Sequence, residues 1–374
     1  MIWISSYPPR KCGIAYYSDH YIKALRDYAR KHKKSVSIKI ISHIDASEAD
    51  YPIIDNKEDR TWHYQVLKIL EKEKPDVVHI QHEYGLYETY ADNNERLIDL
   101  IKMIKELGTP VVMTFHSVYA KLERNFQEFM EESLKHLDAG IVHEVYQKES
   151  LRNSIKGGPR NVYVLPHGSR EDIKFDKEKL MKEFGYPKDT LIVGSAGLVD
   201  ERKGFKELIK QWPKVVEKFP NALLVLELKP HFEKSTRDCL KDILKEIVRS
   251  SAIDNIEFIV RSYTEIELYK RLASFDILVL PYKSESQSGM LAHGFSVGTP
   301  SIGTDIEGLG AEIKNSKSGI AVKHKEDFYK EINKLLADKN KRKRLSENAL
   351  RYVKNVNGWS IIARKTFEIY ERFW

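Results

Sequence analysis

The sequence predicts an α/β protein of two doubly wound, parallel-sheet domains, and three observations lead there. The chain has 374 residues, more than one hydrophobic core usually serves. Short β-rich apolar runs recur along it, with longer stretches of helical period between them. The same alternation then begins again in the second half.

In the first half, strands are expected at 2–5, 36–41, 76–80, 110–115, 139–142 and 161–165. In the second half they are expected at 190–195, 222–228, 256–260, 276–280, 300–303 and 319–322. Many of these runs are apolar without alternation, as in strands covered on both faces. Parallel strands need crossovers, so helices must lie between them in right-handed βαβ units. One such helix shows its buried face in Leu122, Phe126, Phe129, Met130, Ser133 and Leu137. The domain break is expected near His167, Gly168 and Ser169, dividing the chain into 1–168 and 169–356. A last segment, 357–374, carries Trp359, Ile361, Ile362, Phe367, Ile369, Tyr370, Phe373 and Trp374. That much aromatic surface needs cover. The expected cover is the first domain; a partner or a membrane would be the others.

Composition narrows the class. With 41% hydrophobic and 31% charged residues, the chain is ordinary for a globular protein. No apolar run approaches the roughly 20 residues that span a bilayer. The first ten residues read as a strand entering a loop rather than as a secretory leader. Cys12 and Cys239 stand far apart, which suits neither a disulfide framework nor a clustered cysteine metal site. A cytoplasmic location is the default expectation. A net charge of +7 leaves room for phosphorylated ligands or the anionic inner face of a membrane without calling for nucleic acid. The basic runs 30–34 and 339–344 lack interleaved aromatics and read as solvated helix faces.

In open α/β sheets, ligands bind beyond the carboxyl ends of the strands. Those loops here are 7–13, 81–87, 116–117, 143–144 and 167–168, then 197–204, 229–231, 261–263, 283–290 and 304–308. They are rich in His, Gly, Lys, Arg and Glu. Two domains facing each other across a cleft would gather these edges around one site.

The most informative stretch is 276–300. A buried strand ends at Pro281, a polar loop follows, and a helix of small and apolar residues begins near Ser288. Ser288 can cap that helix, and Gly289 permits close approach to the backbone. The N–H groups of the first turn, through Met290, would form a phosphate site. A capped helix with no ligand is the other reading.

Segment 281–290, Pro-Tyr-Lys-Ser-Glu-Ser-Gln-Ser-Gly-Met, resembles the donor-binding region of retaining glycosyltransferases of family 4, whose GT-B fold pairs two Rossmann-like domains. The resemblance puts Glu285 on the first glutamate of the family's Glu-x7-Glu, which contacts donor-sugar hydroxyls. It puts His293 on the second, where the family grips the ribose with Glu. Gln287, Ser288 and Gly289 resemble a subgroup in which Gln-Ser-Gly replaces the Phe-Gly turn. Segments 7–15 and 76–85 resemble the same subgroup, with Gly13 beside the donor diphosphate. His116, in Thr-Phe-His, falls where the family places a His near the donor sugar. Segment 197–204 resembles the Gly-Arg-Leu-x-x-x-Lys-Gly pattern, with Lys203 as the phosphate-binding lysine and Leu198 in place of the arginine. Arg202 or Arg261 would compensate. His82, Glu83 and Tyr84 either line the acceptor side or belong to the following loop. Glu312 resembles a family position near the nucleotide, or is a helix-start carboxylate.

The resemblance implies transfer of a hexosyl group, mannosyl or glucosyl, from a nucleoside diphosphate sugar to a saccharide, lipid-linked or small-molecule acceptor. It leans to GDP-mannose, with UDP-sugars close behind. Catalysis would fall to Glu285, His116 and Lys203, with the nucleotide sugar as co-substrate and no cofactor. No Asp-x-Asp stands at a suitable strand end, so no metal is expected. The alternatives are a nucleotide-sugar-binding pseudoenzyme and a nucleotide-sugar epimerase on the same fold; the Asp-Ser-Gly-Gly usual in the epimerase is absent. A nicotinamide dehydrogenase is disfavoured, since neither half follows its first strand with Gly-x-Gly-x-x-Gly.

Overall fold

The computed structural model describes residues 1–88, 94–159, 161–230, 234–284 and 287–373, with the backbone alone at 234 and 235. The chain forms two compact units, Met1–Gly168 with Asn357–Trp374, and Ser169–Val356.

The first unit holds a seven-stranded parallel sheet. Its strands are β1 (Ile2–Ile4), β2 (Lys39–His43), β3 (Tyr51–Ile54), β4 (Val78–His82), β5 (Val111–Phe115), β6 (Ala139–Val142) and β7 (Val162–Val164), in the order β3-β2-β1-β4-β5-β6-β7. Ile2 is in register with both Lys39 of β2 and Val78 of β4, so winding reverses direction beside β1. Every residue of β1, β4, β5 and β6 is buried. Alternate side chains therefore enter two cores. Ile2, Ile4, Val78, Ile80, Val111 and Met113 pack on one face, with Val66, Leu100, Phe129 and Met130 from helices. Trp3, Ile40, Val112 and Ile141 pack on the other, with Tyr21 and Leu25 of the first helix, Gly13–Lys31.

The last helix, Trp359–Tyr370, lies on that second face and buries Trp359, Ile362, Phe367, Ile369 and Tyr370 there. Trp359 packs edge-on against Tyr17 at a ring distance of 5.0 Å. A Cβ on Gly168 would fall 2.4 Å from the Trp359 ring. The aromatic load of the chain end is thus absorbed within the first unit.

The second unit holds a six-stranded parallel sheet of β8 (Leu191–Leu198), β9 (Ala222–Lys229), β10 (Ile256–Val260), β11 (Ile277–Leu280), β12 (Ser301–Thr304) and β13 (Gly319–Val322), in the order β10-β9-β8-β11-β12-β13. Here the winding reverses between β8 and β11. The loops after those two strands therefore sit at the sheet's topological switch point.

All twelve expected strands are present, with ends shifted by a few residues. The chain adds β3, Tyr-Pro-Ile-Ile, a strand that is not among the expected twelve. Proline cannot donate to a ladder. It is tolerated here because β3 is an edge strand, paired only with β2. Among the described residues, no helix is long and apolar enough to cross a membrane.

Candidate functional site

The switch point of the second sheet brings together the two loops singled out in the sequence. Beyond β8, Asp200 caps a short turn, Glu201–Lys203, and Gly204 begins the helix Phe205–Gln211 at φ +70°. Beyond β11 runs the segment starting at Pro281. The loops touch along their backbones. Lys283 N–H donates to the Arg202 carbonyl at 2.7 Å, and a Cβ on Gly204 would stand 1.9 Å from the Pro281 carbonyl oxygen. Only glycine fits there. Lys203 Nζ lies over the Tyr282 ring, 4.0 Å from its centre.

The helix Gly289–Ser296 starts beside the end of β8, where a Cβ on Gly197 would lie 3.9 Å from Met290 Cε, and Met290 packs in one cluster with Tyr282. Ser288 caps it, accepting from Leu291 N–H at 3.2 Å, and is buried. Its hydroxyl is thus committed to the helix, and a ligand would meet the N–H groups of Gly289 and Met290, which have no intrahelical acceptor. No acidic side chain stands in that first turn, so the positive end of the helix dipole is uncompensated there. Gln287 Oε1 is buried with no hydrogen-bond partner among the described residues, an acceptor suited to a ligand hydroxyl or N–H. Glu285 lies outside the described residues.

Two neighbouring guanidiniums are held by carboxylates. Arg202 grips Asp200, with Nε and a terminal nitrogen 3.0 and 2.7 Å from the same carboxylate oxygen. Arg261 is held by Glu227 and Glu267, each at 2.9 Å. Glu227 is fully buried and also meets Arg271 at 3.1 Å. Arg261 is therefore opposed by two carboxylates, in an ion network built on the buried Glu227. His293 shares a hydrogen bond with Tyr269 through Nδ1 at 2.8 Å. Glu312 is buried in the helix Glu307–Ser316.

In the first unit, Gly13 opens its helix at an exposed position, and a Cβ there would meet nothing within 4 Å. Glu83, on the loop after β4, accepts from the Ser117 hydroxyl after β5 at 2.7 Å. His82 and Tyr84 are in the core instead. His82 stacks on Phe129 at 4.5 Å and meets Phe115 and Tyr84 edge-on, and burial lowers its pKa to about 3. A neutral ring among aromatic side chains fits the reading in which His82 belongs to the structure of its unit.

His116 is also enclosed. Its Nε2 is 2.9 Å from the Gln81 side chain and its Nδ1 is 3.4 Å from His143 Nε2. Gln81 continues to His79 at 3.1 Å, and His79 meets Tyr370 of the last helix. At the other end, His143 Nδ1–H donates to the Leu165 carbonyl at 2.9 Å. That carbonyl can only accept, so the neutral His143 ring carries its proton on Nδ1. His143 Nε2 is left to accept, and the Gln81 Oε1 facing His116 Nε2 accepts from its N–H. Burial keeps the rings neutral: it lowers His79 to about 3 and His143 to about 4. His116 is driven down by burial first and then by its histidine neighbours. Both its nitrogens are spent inside the unit. Glu144, next along, is buried, and burial raises its carboxyl to about 8. Only the loops at 81–87 and 143–144 signalled these partners in the sequence.

Comparison with known proteins places both halves. Residues 176–352 match the family model "Glycosyl transferases group 1", and residues 26–171 match "Glycosyltransferase Family 4". The chain belongs with the family 4-like GT-B glycosyltransferases. Among its GT-B relatives, "Uncharacterized glycosyltransferase MJ1607" of Methanocaldococcus jannaschii is 26% identical over 198 residues, 52% of this chain and 48% of that protein. The match thus spans about half the relative's length. The "Capsular polysaccharide biosynthesis glycosyltransferase CapM" of Staphylococcus aureus is 22% identical over 83% of this chain and 80% of its own. The crystal structure of Anabaena Alr3699/HepE in complex with UDP superposes with a TM-score of 0.75 at 13% identity, covering 99% of both chains. That likeness is one of fold. Among the described residues of this GT-B chain, no three His, Cys, Asp or Glu gather as a metal-ligand set.

Proposed function

We propose that this chain transfers a hexosyl group from a nucleoside diphosphate sugar to an acceptor hydroxyl, with retention of anomeric configuration. The carrying observation is the convergence of Lys203 with the start of the helix Gly289–Ser296 at the second sheet's switch point, enforced by the Gly204–Pro281 contact. The bond from the anomeric carbon to the β-phosphate oxygen breaks and the acceptor oxygen bonds to the same face. The acceptor proton passes to the departing phosphate. Lys203 and the amides of Gly289 and Met290 meet the charge growing on that phosphate. Glu285 orients the sugar, and no covalent nucleophile is invoked. His116 contributes by holding its unit in shape, since both its nitrogens are engaged there.

The test is release of nucleoside diphosphate from UDP-, GDP- and ADP-hexoses; the UDP in the Anabaena structure makes UDP-glucose the first donor to try. Lys203→Ala should lower kcat roughly a hundredfold, the usual cost of losing a group that stabilises developing negative charge. Unchanged turnover would defeat the reading, and unchanged turnover in Glu285→Ala would remove that residue's part. A nucleotide-sugar-binding pseudoenzyme is the second reading, favoured by His293 being engaged with Tyr269. It predicts binding without release from any of the three donors.

A further inference from the structure

We infer that the open edge of the second sheet, strand β10 with the helix that overlies it, is the surface on which two copies of this chain pair, β10 against β10 in antiparallel order. The sheets end on β3, β7, β10 and β13. β3 carries Pro52 and β7 has only three residues, two devices that keep an edge from pairing. β10, Ile-Glu-Phe-Ile-Val, is the longest of these edges at five residues. It has no proline or lysine and runs beside β9 in unbroken register. Its one charge, Glu257, is taken up by the Tyr186 hydroxyl at 2.5 Å and by Arg271 at 3.8 Å. Arg261 N–H donates to the Leu228 carbonyl of β9, so Glu257, Ile259 and Arg261 bond inward. The N–H and C=O of Phe258 and Val260, with the C=O of Ile256, then point to the open side. Among the described residues, none bonds to them.

The helix Lys234–Arg249 crosses from β9 to β10 and gives this edge an apolar cover. Successive positions on it are about 100° apart. Ile243 and Ile247 pack into the core with Phe258 and Val260. Asp242 and Glu246, one step round, meet Lys206 and Lys210 of the helix Phe205–Gln211 at 3.7 and 3.8 Å. Leu244 and Val248, one step the other way, lie on the flank turned from that helix and are 41% and 71% exposed. That flank overhangs the open side of β10. Lys241 and Lys245 beside it are matched by Asp238 and Asp242, so a second copy meets little net charge.

The edge is complementary to itself. About a two-fold axis perpendicular to the sheet at Phe258, the two Phe258 residues exchange N–H and C=O bonds. Each Val260 N–H then reaches the Ile256 carbonyl of the other copy. Glu257 falls opposite Ile259, so no like charges face each other. A helix over the gap between β9 and β10 sits half a strand spacing inside the edge. Two such helices would stand about 10 Å apart, a distance at which helices pack, with Leu244 and Val248 between them. The ligand edges of the two copies would open to opposite sides.

Sedimentation equilibrium on the full chain should show a dimer, twice 43.6 kDa, at about 10–100 µM protein. Val248→Glu should weaken pairing roughly a hundredfold, because a substitution enters a two-fold interface twice. Leu244→Lys should do the same. By hydrogen exchange, the parent's Phe258 and Val260 amides should exchange several-fold more slowly at high than at low protein concentration. In Val248→Glu they should exchange fast at both. A parent that stays monomeric across that range would overturn the inference, leaving the edge to a strand from a different protein. A dimer of unchanged affinity in both variants, or one whose Phe258 and Val260 amides exchange as in the monomer, would overturn it by placing the contact elsewhere.

Discussion

Replacing Gly204 by alanine separates two costs that the structure keeps distinct. The first is conformational: φ is +70°, and an L side chain in the left-handed region costs about 1–2 kcal/mol. The second is steric, since the new Cβ would stand 1.9 Å from the Pro281 carbonyl oxygen. Backbone on both sides must then move, which costs about a further 1–3 kcal/mol by analogy with overpacked cores. Gly185 is the internal control. It lies in the same unit at φ +75°, and a Cβ there meets nothing within 4 Å, so Gly185→Ala carries the first cost alone. For a unit of this size, 1 kcal/mol moves the melting midpoint by roughly 2–4 °C. Gly185→Ala should lower the midpoint of the second unit by about 2–8 °C. Gly204→Ala should lower it by about 4–20 °C and weaken nucleotide binding, because the 197–204 and 281–290 loops are pushed apart. Scanning calorimetry with and without UDP, GDP or ADP reads both. If Gly204→Ala melts no lower than Gly185→Ala, the close approach is not a constraint and the site geometry argued from it fails.

Acid should loosen the first unit. The folded pKa values of His79 and His143, about 3 and about 4, lie below the unfolded value of about 6.5. The unfolded chain then binds more protons, so stability is present above pH 6.5 and is lost as pH falls toward 4. Glu144 runs the opposite way. Its folded value near 8 exceeds the unfolded one, so its share is lost as pH rises through that value. Urea midpoints measured from pH 8 to pH 4 should fall on the acid side and fall less in His79→Gln; an identical acid limb in that variant would refute the histidine assignment. Trp359→Ala should cost about 3–5 kcal/mol, because the ring fills the space among Tyr17, Tyr21 and Gly168. A loss below 1 kcal/mol in chemical unfolding would mean that the last helix is not integral to the first unit.

Much of this architecture was legible because its signals are local. Apolar runs such as 110–113 and 277–280 mark strands buried on both faces, and the residues following each strand mark the ligand edge. Ser288, Gly289 and Lys203 could be named from that rule and from resemblance. β3 escaped because Pro52 masks a strand unless its edge position is known. The burial of His82 and His116 was illegible for another reason: a polar residue at a strand end looks the same in sequence whether its ring faces solvent or a core.

The sequence by itself determined the number of sheets, the order of strands along the chain and the loops that could hold an anion, because patterning and turn chemistry act over a few residues. Tertiary structure alone decided which cation is bound to which carboxylate, which histidines are sealed in, where the last helix is buried and that β10 is left as an open edge. Those facts depend on register and packing between segments far apart in the chain, and no local pattern encodes them.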